Sequence, residues 1–224
     1  GAQAGEVFFT SGGTESDNFA IKGIAYAAGR NGKNHIITSK AEHHAVIEPC
    51  EHLQEEGFTV TTLSVDSNGL VAPEQVAGAI TRSTCLVSIM HSNNEVGSIS
   101  PIREIAQVAR ERSVLTHTDA VQSLGKIPLD VNELGVDLMT ITAHKLYGPK
   151  GIGALYIRKG TQIDSLLHGG GQERGRRPGT ENVPLAVGFA RAVELACEEM
   201  ESESPWLGNL RDILEKRIRA AIPA

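Results

Sequence analysis

Short apolar runs alternate with helix-periodic stretches along most of this 224-residue chain, and that alternation restricts the fold more than any other feature. Glu6 to Thr10, His35 to Thr38, Val60 to Val65, Cys85 to Met90, Val114 to Thr118 (ending at Asp119), Asp137 to Thr142 and Ala154 to Ile157 read as strands. Between them, Thr14 to Ala28 reads as a helix, and a second helix carries the stripe Val46, Cys50, Leu53 and Gly57. Pro73 begins a third, and Pro101 opens a fourth with Ile102, Ile105 and Ala109 on one face. Strands separated by helices require right-handed crossovers, which predicts an α/β three-layer sandwich around a mostly parallel sheet.

The end of the chain changes character. A Gly/Arg-rich loop from His168 to Gly179 leads into a helix with stripe Val183, Val187, Ala190, Val193, Cys197 and Met200. A separate helix is expected after Pro205, with Leu207, Leu210, Leu214, Ile218 and Ala221 in phase. Residues 1–200 are expected to form one domain, and 201–224 a helix leading towards a further small domain. Both ends look cut, so a fragment of a longer protein is expected.

Composition narrows the function classes. With 40% apolar and 21% charged residues, the chain has the make-up of an ordinary folded protein. Its net charge of −6 argues against nucleic acid or an anionic membrane as partner. The charge-free run Ser83 to Asn94 is too short and polar to cross a bilayer, no secretory signal is visible, and a cytoplasmic location is expected. Cys50, Cys85 and Cys197 are widely spaced and lack the pairing of a zinc or disulfide framework. Glycine, at 24 residues, is in excess and clustered, as where backbone bends sharply or approaches a ligand.

In an open parallel sheet ligands bind beyond the carboxyl ends of the strands, so the polar residues there are the candidates. Thr10-Ser11-Gly12-Gly13-Thr14-Glu15-Ser16 can either cap a helix or hold an anion at its N-terminus, and it lacks the spacing of a nucleotide-binding Walker loop. His43 and His44 can be ligands, bases, a lid over a ligand or simple caps, and Asn93-Asn94 can bind a polar group or close a turn. Asp119 ends an apolar strand, where a carboxylate needs a cation or several donors; a salt bridge to arginine is the plain alternative. Lys145, one step past a strand and walled by Gly148-Pro149, can lose solvation and become a Schiff-base nucleophile, or be an ordinary surface lysine. Arg174, Arg176, Arg177 and Thr180 can clamp an anion, across a subunit interface if the protein is a dimer. A phosphate loop, a carboxylate for a ring nitrogen, a histidine for stacking and a lysine for an aldehyde together describe a pyridoxal-phosphate site.

The segments that carry this set are Ser11-Gly12-Gly13-Thr14-Glu15-Ser16-Asp17-Asn18, Glu42-His43-His44-Ala45-Val46, Met90-His91-Ser92-Asn93-Asn94-Glu95-Val96-Gly97, His117-Thr118-Asp119-Ala120-Val121-Gln122-Ser123, His144-Lys145-Leu146-Tyr147-Gly148-Pro149-Lys150-Gly151 and Gly169-Gly170-Gly171-Gln172-Glu173-Arg174. In order, they resemble the cysteine desulfurases, of the class-V aminotransferase group of fold-type I pyridoxal-phosphate enzymes. Arg177-Pro178-Gly179-Thr180-Glu181-Asn182 also resembles selenocysteine lyases.

The resemblance implies a fold-type I large domain that binds pyridoxal 5'-phosphate. Lys145 would hold the cofactor aldehyde, Asp119 would keep the ring nitrogen protonated, and Gln122 would bond the ring hydroxyl. His43 would stack on the ring and help move protons. Gly13, Thr14, Thr142 and His144 would hold the phosphate, with Thr180 reaching across from a partner subunit, and Asn94 would orient cofactor and substrate. The implied reaction takes L-cysteine to L-alanine plus sulfur for an acceptor or scaffold protein in iron–sulfur cluster or thio-cofactor assembly. The nucleophilic cysteine loop of the family is missing, so poor turnover by this chain alone is expected. The rival readings are a selenocysteine lyase, a metal-dependent hydrolase built on His43, His44, His117 and Asp119, and a non-catalytic fragment.

Overall fold

A computed structural model describes residues 1–222. Seven strands, β1 (Val7–Thr10), β2 (His35–Ser39), β3 (Thr59–Leu63), β4 (Thr84–Ser88), β5 (Leu115–Asp119), β6 (Leu138–Thr142) and β7 (Gly153–Ile157), form one sheet in the order β1-β7-β6-β5-β4-β2-β3. The pairs β2–β3, β2–β4, β4–β5 and β5–β6 are parallel, whereas β7 is antiparallel to both β6 and β1. Only β7 therefore runs against the rest, and the carboxyl ends of β1, β2, β4, β5 and β6 open on one edge. The mostly parallel sheet expected from the sequence is the one observed.

Among the described residues six α-helices complete the fold: α1 (Gly13–Gly29), α2 (His44–Glu55), α3 (Pro73–Ala79), α4 (Ile102–Arg110), α5 (Val131–Leu134) and α6 (Val183–Ala221). Strand periodicity explains the layers. Successive residues Ile36 and Ile37, Leu86 and Val87, Leu138 and Met139, and Leu155 and Tyr156 divide between two cores on opposite sheet faces. The first core packs against α1 and α2 through Ile21, Ile24, Val46 and Leu53, and the second against α3 to α5 through Val76, Ile102, Ile105 and Val131. A third cluster joins Phe189 of α6 to Leu146, Ile152 and Ala154 beside β6 and β7. The central strands β2 and β4 are buried along their whole length, as expected where both faces of a parallel strand are covered.

Two expectations change. The stripe of α2 ends at Leu53, because Gly57 lies beyond the helix with φ +93°. The two terminal helices are one: α6 runs 39 residues straight through Pro205. Proline removes one hydrogen bond to the carbonyl four residues earlier, and at an exposed helix surface water can take that bond. Its first stripe is covered only in part: Val183 and Val187 are 62% and 63% exposed, whereas Val193 packs against the third cluster.

Gly153 holds the site edge together. It pairs with Thr10 of β1 on one side and Thr142 of β6 on the other. A Cβ there would sit 2.8 Å from Gly12 Cα and 2.9 Å from the Ile141 carbonyl oxygen, contacts that only backbone movement relieves. Gly153→Ala is expected to cost about 1–3 kcal/mol in urea unfolding, the range of overpacked sites. Gly78→Ala, in α3 with open space around it, is expected to stabilise by about 0.5–1 kcal/mol.

Candidate active site

The strand ends converge on a cavity of about 220 Å³. Gly13, Thr14, His43, Asn94, Asp119, Gln122, Thr142, His144 and Lys145 all line it, joined by Asp17, Ala45, Met90 and Val121. Of the residues expected at the site, Thr180 alone is elsewhere, in a separate cleft with Ser11, Glu173 and Arg177. A groove of about 420 Å³ between α6 and the turn after β6 adjoins the cavity, with Lys145 on the wall of both.

Each element delivers its group for a local reason. The β1–α1 turn is tied by the Thr10–Ser16 hydroxyl pair at 2.7 Å and by the Ser11 N–H donating to Glu15 Oε2 at 2.8 Å. That leaves the α1 N-terminus, with Gly13 and Thr14, facing the cavity, where unpaired N–H groups and the helix dipole favour an anion. A Cβ on Gly13 would come within 3.1 Å of Val121 Cγ2, so glycine allows α1 to approach the turn after β5. His43 is the N-cap of α2: its Nδ1 accepts the Ala45 N–H at 3.0 Å. In a neutral ring the proton therefore sits on Nε2. The cap and the site are thus the same residue.

Asp119, 3% exposed, accepts the Val121 N–H on Oδ1 at 2.9 Å. Burial pushes its carboxyl above the ordinary range, while the Val121 N–H, His43 and Lys145 favour the anion. Gln122 receives Lys126 Nζ on Oε1 at 3.0 Å. Thr142 Oγ1 lies 3.1 Å from His144 Nδ1, a paired hydroxyl and imidazole at the carboxyl end of β6. Burial lowers the proton affinity of His144, with Lys145 and Lys150 adding to it. Lys145 itself is exposed, the second of the two alternatives left open by its sequence surroundings.

Several other expectations are corrected. His44 faces solvent 3.5 Å from Glu48, whereas His117 is fully buried with Nδ1 2.8 Å from Ser88 Oγ and Nε2 3.0 Å from Thr140 Oγ1. The four groups of the metal-hydrolase reading do not meet, and among the described residues no cluster of three or more His, Cys, Asp or Glu is placed to hold a metal ion. The arginines of the Gly/Arg loop lie outside this cavity, with Arg177 lining the cleft that holds Thr180. Arg174 and Arg176 lie 4.2 and 5.0 Å from the Phe8 ring centroid, and Arg177 pairs with Glu15 at 2.7 Å. Cys197, on an apolar stripe in the sequence, is exposed, while Cys50 and Cys85 are buried.

Two buried acids escape a reading by strand ends. Asp17 lies on the core-facing stripe of α1 with Ala20, Ile21 and Ile24, and a carboxylate in that stripe was the available signal. Glu42 precedes His43, and its Oε1 accepts the Ser39 hydroxyl at 2.5 Å and the Met90 N–H at 3.0 Å. It thereby fastens the loop carrying His43 to the end of β4. A further tie runs from Asn93 Nδ2 to the Ala41 carbonyl at 2.8 Å.

Burial raises the Glu42 carboxyl to about 8, against an ordinary value of 4.5. Between those values the unfolded chain has released this proton and the folded chain has kept it, so Glu42 lowers stability as pH rises through the window. Glu42→Gln keeps the acceptor and removes the titration. Its stability relative to the parent is expected to improve steadily from pH 5 to pH 8 in urea unfolding; a difference independent of pH would contradict this.

The donors and charges of the cavity suit pyridoxal phosphate: an anion seat at the α1 N-terminus with Thr14, Thr142 and His144, a buried carboxylate for a cationic ring nitrogen, and a lysine amine for an aldehyde. Known proteins point the same way. The chain matches the Aminotransferase class-V family over residues 1–221. Cysteine desulfurase IscS of Dictyoglomus turgidum is 56% identical over 222 residues, which cover 97% of this chain and 56% of that protein. The mitochondrial cysteine desulfurase of Drosophila melanogaster is 48% identical, over 100% of this chain and 48% of that protein. A solved structure described as a NifS-like protein superposes with a TM-score of 0.93 at 45% identity, over 96% of this chain and 59% of its own. Another, described as SspA in complex with cysteine, gives 0.83 at 46% identity, over 86% and 56%. The chain spans about half the length of the relatives it matches. On sequence and fold together, it belongs to the class-V aminotransferase family, a group of fold-type I pyridoxal-phosphate enzymes.

Proposed function

We propose that this chain is the pyridoxal-phosphate-binding part of a cysteine desulfurase, which converts L-cysteine to L-alanine and passes the sulfur to an acceptor. The observation that carries the reading is the meeting of Asp119, Lys145, His43 and the α1 N-terminus in one cavity. The cysteine desulfurase names of the relatives support the substrate, and the SspA structure holds cysteine.

In this reading Thr14, Thr142, His144 and the N–H groups beside Gly13 hold the phosphate. Asp119 keeps a proton on the ring nitrogen, Gln122 bonds the ring hydroxyl, and Asn94 orients cofactor and substrate. Lys145 Nζ would hold the aldehyde, and as a free amine it would hold or move a proton at the substrate Cα. His43 offers Nε2–H as a donor on the cavity wall. Bound pyridoxal phosphate supplies an electron sink for the charge left at Cα.

No thiol of this chain suits the sulfur-accepting step. Burial pushes the thiols of Cys50 and Cys85 up to about 12 and about 11, where the thiolate is scarce. Cys197 lies on α6 and does not line the cavity. The accepting cysteine belongs, in this proposal, to a segment of the parent protein beyond this chain. A homodimer fits the position of Thr180 away from this chain's own cavity. Three free thiols fit a reducing, cytoplasm-like compartment, and among the described residues no helix is long and apolar enough to cross a membrane.

Added pyridoxal phosphate is expected to give the chain a visible absorption band that survives gel filtration. Asp119→Asn should weaken retention at least tenfold, about 1.4 kcal/mol. With L-cysteine supplied, alanine formation by the chain alone should be far below the ~10 s⁻¹ of a typical enzyme. A colourless protein after loading, or full turnover without any further segment, would contradict the reading.

A further inference from the structure

Asp17 has no role in the reaction outlined above, yet it lines the same cavity while only 1% exposed. Its Oδ1 has no hydrogen-bond partner. The base facing it, His117 on β5, has Nε2 at 3.6 Å, but both ring nitrogens already meet hydroxyls of Ser88 and Thr140. Full burial lowers His117 to about 3, so it stays neutral and offers Asp17 no positive charge. The other ionisable groups acting on Asp17 are acids, Asp119 on β5 and Glu42 on the β2–α2 loop.

Asp119 is differently placed. It has the Val121 N–H on its carboxylate, and His43 and Lys145 act on it from the cavity wall. Of these two neighbouring carboxyls only Asp119 has a backbone N–H and cations acting on it, so they do not share charge evenly and the proton stays with Asp17.

We propose that Asp17 is a positioning residue that remains a neutral carboxylic acid beneath the cavity, leaving Asp119 as the one carboxylate that meets the cofactor's ring cation. The assignment of the ring cation rests on the pyridoxal-phosphate reading; the neutrality of Asp17 rests on the chain alone. The direction of its proton affinity agrees: burial, then the charge of Asp119, push the Asp17 carboxyl well above the ordinary range, against a lowering hydrogen bond from Thr140. The consequence is charge balance. A second anion at Asp17 would raise the proton affinity of Asp119 and disable it as a counter-ion, whereas a neutral acid leaves one negative charge for one positive charge.

Infrared difference spectra of the unloaded protein, parent minus Asp17→Asn at pH 7, read the group directly. Loss of a protonated-carboxyl C=O stretch in the variant is expected, with parent minus Glu42→Gln separating the second buried acid; loss of carboxylate bands instead would overturn the proposal. The loaded protein gives an independent measure. Asp17→Asn copies a neutral acid in shape, so Asp119→Asn should weaken cofactor retention at least tenfold more than Asp17→Asn does. Equal losses would overturn the proposal. If Asp17→Asn does not fold, carboxyl NMR of the parent labelled with 13C-aspartate decides: a protonated aspartate persisting at pH 7 is expected, and complete ionisation of every aspartate overturns it. A parent that takes up no pyridoxal phosphate would remove the cofactor reading, while the infrared result would still settle the charge of Asp17.

Discussion

The cost of holding a carboxylate out of water shapes this molecule. Asp119 ends a buried parallel strand with one backbone N–H to satisfy it, and such a charge persists only where a cation can reach it. The sheet answers that demand by bringing the carboxyl ends of β1, β2, β4, β5 and β6 to one edge. The lysine after β6, the histidine capping α2 and the N-terminus of α1 then surround the same space. Because β7 alone is reversed, Gly153 can lie between Thr10 and Thr142, and its lack of a side chain lets the backbones of Gly12 and Gly153 nearly touch. The edge of the candidate site thus depends on a close approach of two glycines in the scaffold.

The polar interior beneath the cavity is part of the same design. Ser88, His117 and Thr140 form a neutral chain of hydrogen bonds under Asp119, while Glu42 ties the His43 loop to β4. Glu42 and His117 trade stability for position, since a buried acid and a buried neutral histidine both make folding depend on pH. The two signs oppose one another. His117, lowered to about 3 from 6.5, costs stability as pH falls through that window, whereas Glu42 costs stability as pH rises from 4.5 to about 8.

Much of the fold was legible because strand and helix periods are strong local signals. The runs at His35, Cys85 and Val114 became β2, β4 and β5 with shifts of a residue or two at their ends. The convergence of Asp119, Lys145 and His43 was legible from strand-end logic and from the resemblance of the surrounding motifs. The reversal of β7 was not, since pairing direction is set by the path of the chain and not by residue type. The continuity of α6 was hidden by Pro205, whose helix-breaking tendency is outweighed on an exposed surface. Asp17 is hidden from strand-end logic because it sits on the buried stripe of a helix. The solvation of Lys145 could not be read from its neighbours in sequence, because openness of a cavity wall is a tertiary property.

The central claim is that the amine of Lys145 is the covalent seat of pyridoxal phosphate. Borohydride reduction of the loaded protein, followed by peptide mass mapping, tests it most directly. The reduced cofactor is expected on the peptide containing Lys145. Its recovery on another lysine, such as Lys126 on the adjoining groove, or on no lysine at all, would contradict the claim.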